Sequence, residues 1–163
     1  MKKTKALSAR LGQALLDNNL RIVTAESCTG GGIARAITDI AGSSQWFECG
    51  FVAYSNDSKT SLLRVPEALI MQHGAVSTEA AEAMARGALA VTNGTIAISA
   101  TGIAGPGGQT PTKPLGLVCF ALATKDEAIM EQQVFSGDRD AVREKAVLFA
   151  LDMLITFLAP KSS

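Results

Sequence analysis

The chain has 163 residues, 47% of them hydrophobic, and its 15 Lys and Arg residues balance 15 Asp and Glu residues. This length suits one domain with a substantial core, so we predict a single domain over residues 1–163. The balance of charges argues against a nucleic-acid partner and against an anionic membrane surface, because proteins that bind either usually carry an excess of basic residues. We also expect no membrane span and no signal peptide, since the basic start lacks an apolar run and a cleavage site.

The cysteines and the histidine bear on metal sites and on location. Cys28, Cys49 and Cys119 are irregularly spaced and form no C-x-x-C pair, which disfavours both a disulfide framework and a zinc site. The only histidine is His73, so a multi-histidine metal site and a histidine proton relay are excluded, and His73 fits a helix end. We therefore expect no metal, no cofactor and a cytoplasmic location.

Helices and strands alternate in the predicted order of the first hundred residues. Hydrophobic residues at helical spacing indicate helices, and short β-branched runs bounded by Gly, Ser or Asn indicate strands. Ser77 is a predicted N-cap, with Glu79 in the first turn of its helix. The predicted helices cover residues 4–18, 33–41, 59–64, 66–73 and 77–94, and the predicted strands cover 20–26, 50–55 and 95–101.

The remainder of the chain predicts a loop, a hairpin and a closing helix. Residues 102–116 are too rich in Gly and Pro for anything but a loop. Two strands at 117–124 and 128–135 flank a short polar turn, so we expect them to be antiparallel. The last helix shows a clear apolar face formed by Val142, Ala146, Phe149, Ala150, Met153, Leu154 and Phe157. This order predicts an α/β domain with a mixed sheet covered on both faces, and ligand sites where strands end.

The stretch "VTAESCTGGG" places reactive groups where the first predicted strand ends. A lysine can act as the base for a serine nucleophile if its pKa falls from about 10.4 toward neutrality. Lys59 follows the second predicted strand and would approach Ser27 if those two strands lie side by side. Taken singly, Lys59 also fits an exposed helix start, Ser27 or Thr29 a helix cap, and Cys28 a small buried hydrophobe.

Two glycine-rich turns could present bare backbone N–H groups. Gly30, Gly31 and Gly32 precede a predicted helix, where such groups suit a phosphate or a developing oxyanion. The loop from Thr101 to Gly108 offers a second set after another strand. Close packing at the first turn and a mobile surface loop at the second are the alternative interpretations.

Arg139 and Arg143 lie at positions i and i+4 near the start of the last predicted helix. Cations there oppose the helix dipole, which suggests that they face a carboxylate or a phosphate. A surface charge cluster with Asp138, Asp140 and Glu144 is the alternative.

Taken together, "TAESCTGG", "ITDIAGSSQWFECGFVAYSNDSK", "HGAVS", "TGIAGPGG" with "KPLG", and "GDRDAVR" resemble the C-terminal domain of the CinA family. The resemblance runs over about residues 7–158. It implies a three-layer α/β/α sandwich with a mixed, mostly parallel sheet. It also implies that the carboxamide of nicotinamide mononucleotide is hydrolysed to nicotinate mononucleotide and ammonia, as in the stand-alone members of this family. The chain is expected to correspond to this domain without the larger nucleotide-processing domain of full-length members, so no pyrophosphatase activity is carried over.

The resemblance also implies site residues and a homodimer. The metal-free serine and lysine pair of the family matches Ser27 and Lys59, and Tyr54 would relay a proton or hold Lys59. The oxyanion would be held by N–H groups of the turn from Thr29 to Gly31 or by those of another pair. That other pair is Thr101 and Gly102. The remaining expected substrate contacts are Gly30, Glu26, Ser44, Asn56, Arg139 and Arg143.

Three alternatives remain open at this point. The first is an amidase with Cys28 as nucleophile, supported by Glu26 and Lys59. The second is a non-catalytic nucleotide-binding or regulatory module that keeps the glycine turns and the arginines. The third is a different phosphorylated amide as substrate.

Overall fold

A five-stranded mixed sheet forms the centre of the computed structural model, which describes residues 1–161. The strands are β1 (Ile22–Glu26), β2 (Phe47–Val52), β3 (Ile96–Gly102), β4 (Leu117–Ala123) and β5 (Ala128–Val134), in the order β2-β1-β3-β4-β5. β1 pairs in parallel with β2 and β3, whereas β4 pairs antiparallel with β3 and β5. Four strands therefore point the same way and β4 runs against them, although the pairings divide equally between parallel and antiparallel.

Helices cover both faces of this sheet. Within the described range the α-helices are α1 (Lys2–Asp17), α2 (Gly32–Thr38), α3 (Asn56–Leu63), α4 (Glu67–His73), α5 (Thr78–Ala90) and α6 (Arg139–Leu158). Side chains of α1, α2 and α6 pack into one core cluster, and side chains of α3, α4 and α5 pack into another. The predicted three-layer α/β/α architecture is confirmed.

The two clusters lie on opposite faces of the sheet because adjacent strand residues point to opposite sides. On β3, Ile96 and Ile98 join the cluster that contains α6, whereas Ala97 joins the cluster that contains α5. All five residues of β1 are buried, as expected for an inner strand covered on both faces. Within residues 1–161, none of the helices combines the length and apolar character needed to cross a bilayer.

The shift from prediction that bears most on the site is at β2, which starts at Phe47 and not at residue 50. A charged residue is tolerated in this edge strand because Glu48 accepts a hydrogen bond of 2.6 Å from Arg21 Nε. The strand also ends early, since the Ser55 hydroxyl accepts from the N–H of Ser58 and caps α3. As a result α3 begins three residues before the predicted position.

The predicted N-cap at Ser77 is confirmed, since its hydroxyl accepts from the N–H of Ala80. The first two strands lie side by side, as the approach of Lys59 to Ser27 requires, with Glu26 opposite Val52. The predicted single domain extends to Ser163, and its last two residues lie outside the described range, so that boundary stays a prediction.

Candidate active site

Ser27 and Lys59 meet at the carboxyl end of the parallel strands. Ser27 directly follows β1, and Lys59 lies in the first turn of α3, which follows β2. Lys59 Nζ donates to Ser27 Oγ over 3.1 Å and to the carbonyl oxygen of Tyr54 over 2.9 Å. Both side chains are buried, with 8% of Ser27 and 1% of Lys59 exposed. This geometry allows a neutral lysine to take the proton of the serine hydroxyl.

The surroundings of Lys59 favour its neutral form. Burial lowers the pKa of Lys59 from its ordinary value, because an ammonium loses its hydration in the interior. Among residues 1–161 no carboxylate forms a salt bridge with Lys59 that would restore the charge. The geometry is therefore compatible with the predicted role of Lys59 as a neutral base, which stays a prediction.

Glu26 lies on the interior side of the turn that carries Ser27. Its side chain is fully buried, and it accepts hydrogen bonds from Thr29 Oγ1 (2.6 Å), Ile33 N (2.8 Å) and Ala34 N (3.0 Å). The first N–H groups of α2 are thus capped by Glu26, so the alternative interpretation of Ser27 or Thr29 as the cap of this helix is not supported. Lys59 is not among the hydrogen-bond partners of Glu26 in the described range, and the expected contact of Glu26 with substrate stays a prediction.

The glycine turn leaves other N–H groups unpaired. The N–H of Gly30 donates to the carbonyl oxygen of Ser27 over 3.0 Å. Within residues 1–161, the N–H groups of Cys28, Thr29 and Gly31 have no acceptor. The turn needs glycine, since φ is +58° at Gly30 and +92° at Gly31, where other residues are strained. The bare amides predicted here therefore precede the helix and are not those of its first turn.

Cys28 is poorly placed to act as a nucleophile. Only 6% of the residue is exposed, and burial, with a smaller contribution from the Glu26 carboxylate, raises the pKa of its thiol to about 12. Because the thiolate is the reactive form, the thiol is inert near neutral pH. This observation weighs against the alternative in which Cys28 attacks the amide.

Arg143 lies against the turn from the side of α6. Its Nε donates to the carbonyl oxygen of Cys28 over 3.1 Å. Its Nη2 lies 3.0 Å from the position that a Cβ on Gly30 would occupy. Neither Nη atom donates to another residue within 1–161, so both remain available beside the unpaired amides.

Arg139 connects two segments around the site. Its Nη1 donates to the carbonyl oxygen of Gly105 over 2.8 Å, and its Nη2 lies 3.3 Å from the Tyr54 hydroxyl. Neither Arg139 nor Arg143 is salt-bridged to a carboxylate in the described part of the chain. The alternative of a surface charge cluster therefore has no ion pair in this range to support it, and Asp138 caps α6 by accepting from the N–H of Ala141.

Tyr54 and Asn56 lie at the same end of the sheet as Ser27. Tyr54 contacts Lys59 through its backbone carbonyl, whereas its side chain is 59% exposed and points to Arg139. The Tyr54 hydroxyl makes no hydrogen bond to Lys59 in the described range, and the expected role of Tyr54 stays a prediction. Asn56 is exposed at the start of α3.

Thr101 and Gly102 flank the site on the other side. The N–H of Ser27 donates to the carbonyl oxygen of Ala100 over 2.9 Å, which places the end of β3 beside the nucleophile. The Thr101 hydroxyl donates to the carbonyl oxygen of Ala75 over 2.8 Å. A Cβ on Gly102 would lie 2.6 Å from the carbonyl oxygen of Leu117, so this glycine permits close strand packing.

Ser44 is not brought to the site. It lies in the 3₁₀ turn Ser43–Gln45 before β2, where its carbonyl oxygen accepts from Arg21 Nη1. The site residues follow the strands, so the length of β2, roughly 20 Å, separates Ser44 from Tyr54. The expected substrate contact of Ser44 is therefore wrong for a single chain.

The loop after β3 is tethered at two points. Besides the contact of Arg139 with Gly105, Lys113 Nζ donates to the carbonyl oxygen of His73 over 2.6 Å. His73 is the last residue of α4, as its predicted helix-end position requires, and its Nδ1 lies 3.8 Å from Glu79 Oε1. No sequence pattern predicts the Lys113 tether, since its partner is a backbone oxygen 40 residues away.

No three His, Cys, Asp or Glu side chains within residues 1–161 come together as metal ligands could. The expected independence from a metal stays a prediction. The arrangement offers a nucleophile, a neutral base, unpaired backbone donors and a free guanidinium, which together are the requirements of acyl transfer on an anionic substrate.

Comparison with known proteins supports this interpretation. The chain is 51% identical over 149 residues to the nicotinamide-nucleotide amidohydrolase PncC of Pseudomonas putida, a match covering 91% of this chain and 93% of that protein. It is 52% identical over 149 residues to the protein of the same name from Escherichia coli strain K12, covering 91% and 90%. A crystal structure of the competence/damage inducible protein CihA from Agrobacterium tumefaciens superposes with a TM-score of 0.93 at 39% identity, covering 96% of each chain.

A sequence model described as the CinA C-terminal domain matches residues 4–158, which is most of the chain. The match spans every strand of the sheet and both residues of the buried pair. The chain belongs to the CinA C-terminal domain family.

Proposed function

We propose that this chain is an amidohydrolase that converts nicotinamide mononucleotide to nicotinate mononucleotide and ammonia. Its identity of about half with proteins named nicotinamide-nucleotide amidohydrolase supports the substrate. The single observation that supports the chemistry is the 3.1 Å contact between Lys59 Nζ and Ser27 Oγ, both buried. Ser27 is the nucleophile and Lys59 its base.

In the first half of the reaction an acyl-enzyme forms. Neutral Lys59 takes the proton of Ser27 as Oγ attacks the carboxamide carbon, which gives a tetrahedral intermediate. When the intermediate collapses, the carbon–nitrogen bond breaks and the lysine proton passes to the leaving nitrogen. Ammonia departs, and the nicotinoyl group stays esterified to Ser27.

Water completes the reaction through the same base. Lys59 takes a proton from water, whose oxygen attacks the ester carbon, and the second tetrahedral intermediate expels Ser27. The proton on Lys59 returns to the serine oxygen. The carboxylic acid of the product loses its proton to solvent, and nicotinate mononucleotide leaves as a carboxylate. The pair is restored with Ser27 protonated and Lys59 neutral, as burial favours.

The oxyanion of both intermediates is best served by the turn of the nucleophile itself. The unpaired N–H groups of Cys28 and Thr29 follow Ser27 directly, whereas the Thr101 and Gly102 pair lies across the strand ending. Removing one donor of this kind costs about 10²–10³ in kcat in known acyl-transfer sites.

The phosphate of the substrate is best served by Arg143. Its Nη groups are free beside the glycine turn, while its Nε is fixed by the carbonyl oxygen of Cys28. A guanidinium held in this way presents a fork of donors to phosphate oxygens. Arg139 is a secondary candidate, since Gly105 and Tyr54 already occupy both of its Nη atoms.

We also propose a cytoplasmic location and a homodimer. All three cysteines are free, which suits a reducing compartment. The family resemblance supports the dimer, and exposed Met130 and Val134 on the edge strand β5 offer apolar surface for it. Sedimentation at several protein concentrations tests the oligomeric state.

The decisive experiment measures ammonia released from nicotinamide mononucleotide by the wild type, Ser27→Ala and Cys28→Ala. We expect Ser27→Ala to abolish release and Cys28→Ala to keep most of it. Loss of release only in the cysteine variant would overturn the assignment of the nucleophile. Binding of the nucleotide by the wild type without any release would indicate a non-catalytic module, and release from another phosphorylated amide alone would correct the substrate.

A further inference from the structure

The residue directly before the nucleophile is a fully buried carboxylate. Glu26 is 0% exposed, although an ionised carboxylate is costly to bury unless it is paired or hydrogen-bonded. It forms no salt bridge with any residue in the described range. Its charge must therefore be supported by hydrogen bonds and by the local backbone.

Three donors and a helix terminus provide that support. Oε1 accepts from Thr29 Oγ1 and Ile33 N, and Oε2 accepts from Ala34 N. The start of a helix also favours a negative charge through its dipole. The N-cap residue of α2, Gly31, has no side chain that could accept from the first N–H groups of the helix. Both oxygens of Glu26 thus have protein donors without any ligand.

Glu26 connects the inner strand β1 to the start of α2 across the turn. It ends β1, which pairs on one side with β2 and on the other with β3, opposite Val52 and Ala100. From this inner strand the carboxylate reaches forward to Thr29 and to the first turn of α2. The segment from Ser27 to Gly31 is therefore held between two anchored points.

We propose that Glu26 is a positioning residue for amide hydrolysis. Its carboxylate locks the turn so that Ser27 Oγ meets Lys59 Nζ and the N–H groups of Cys28 and Thr29 stay free for the oxyanion. The reaction named here rests on the proposed function, whereas the positioning of Ser27 does not depend on which amide is hydrolysed.

Three variants test this inference. Glu26→Gln keeps the size but turns an amide N–H₂ toward the N–H of Ala34, and Thr29→Val removes the hydroxyl donor at constant shape. Thr29→Ser restores that donor. Because a displacement of about 1 Å can cost about 100-fold in rate, we expect Glu26→Gln and Thr29→Val to lower kcat about 10- to 100-fold. KM should change less than about threefold, and Thr29→Ser should recover most of the kcat lost in Thr29→Val.

A second readout does not require the natural substrate. A fluorophosphonate forms a bond between Ser27 Oγ and phosphorus, fluoride leaves, and Lys59 takes the hydroxyl proton, so the mass of the protein reports how well Ser27 is presented. We expect slower labelling in Glu26→Gln and Thr29→Val and recovery in Thr29→Ser. If the labelling rates of the wild type and the variants follow this pattern while the wild type releases no ammonia from nicotinamide mononucleotide, the proposed substrate is wrong and the positioning role stands.

The inference is overturned if folded Glu26→Gln and Thr29→Val both label and turn over at the wild-type rate. It is also overturned if Glu26→Gln raises KM while kcat is unchanged, because that result indicates a substrate contact. Circular dichroism checks the fold of each variant. If Glu26→Gln does not fold, the comparison of Thr29→Val with Thr29→Ser decides the question alone.

Discussion

Replacing Lys59 with methionine removes the buried amine and keeps a side chain of similar length. General-base catalysis contributes about 10²–10⁴ in rate, so we expect kcat for ammonia release to fall at least about 100-fold. The wild type should lose activity as pH falls through the lowered pKa of Lys59, because the protonated amine cannot take the proton of Ser27. The variant should lack this ionisation in its pH profile of kcat/KM.

The same substitution has a pH-dependent effect on stability. Above about pH 10.4 the amine is neutral in both the folded and unfolded states. There the variant loses two hydrogen bonds, to Ser27 Oγ and to the Tyr54 carbonyl, each contributing about 0.5–1.5 kcal/mol, so we expect a loss of about 1–3 kcal/mol. Below that pH the unfolded wild type binds a proton that the folded protein does not, because burial lowers the folded pKa. The wild type therefore becomes less stable as pH falls, and its advantage over the variant shrinks.

Urea denaturation of both proteins between pH 7 and pH 10.5 measures this difference. The expected result is a wild-type advantage that is largest at the alkaline end and decreases toward neutrality. A difference in free energy of unfolding that is constant with pH, or a kcat within tenfold of the wild type, would refute the assignment of Lys59 as a buried neutral base.

Three further outcomes are expected. Arg143→Lys keeps the charge but loses the fork of donors, so KM for nicotinamide mononucleotide should rise about tenfold, with no matching change for the nucleoside that lacks the phosphate; equal changes for both would contradict a phosphate contact. The Cys28 thiol, whose pKa burial raises to about 12, should resist iodoacetamide at pH 8 until the protein is unfolded, as mass spectrometry can show. Gly87→Ala should lower the free energy of unfolding by about 1–3 kcal/mol, since its Cβ would lie 1.7 Å from the Leu63 carbonyl oxygen, whereas Gly107→Ala, with nothing within 4 Å, should be neutral.

The pairing of Ser27 with Lys59 was predictable from the sequence only on the assumption that their two strands lie side by side, and the structure supplies that adjacency. Parallel neighbours end at the same edge of a sheet, so residues 32 positions apart meet there. The expected substrate contact of Ser44 was wrong for a single chain because Ser44 precedes β2, and the start of this edge strand is obscured by the charge of Glu48.

The role of Glu26 could not be derived from the sequence. An acidic residue at the end of a strand fits a substrate contact as well as a helix cap, and the choice depends on where α2 begins. The helix starts at Gly32, which puts its first free N–H groups within reach of the carboxylate seven and eight residues before them. The Lys113 and Arg139 tethers were equally hidden, because their partners are backbone carbonyl oxygens, which carry no side-chain signature.

The base and the nucleophile follow strands that differ in their number of paired neighbours. Ser27 follows β1, which has a neighbour on each side, whereas Lys59 follows β2, one of the two edge strands, which pairs with β1 alone. Peripheral strands detach more readily than interior ones. Catalytic turnover should therefore be lost at a denaturant concentration that leaves most of the sheet folded. Activity then reports local unfolding of the edge strand β2.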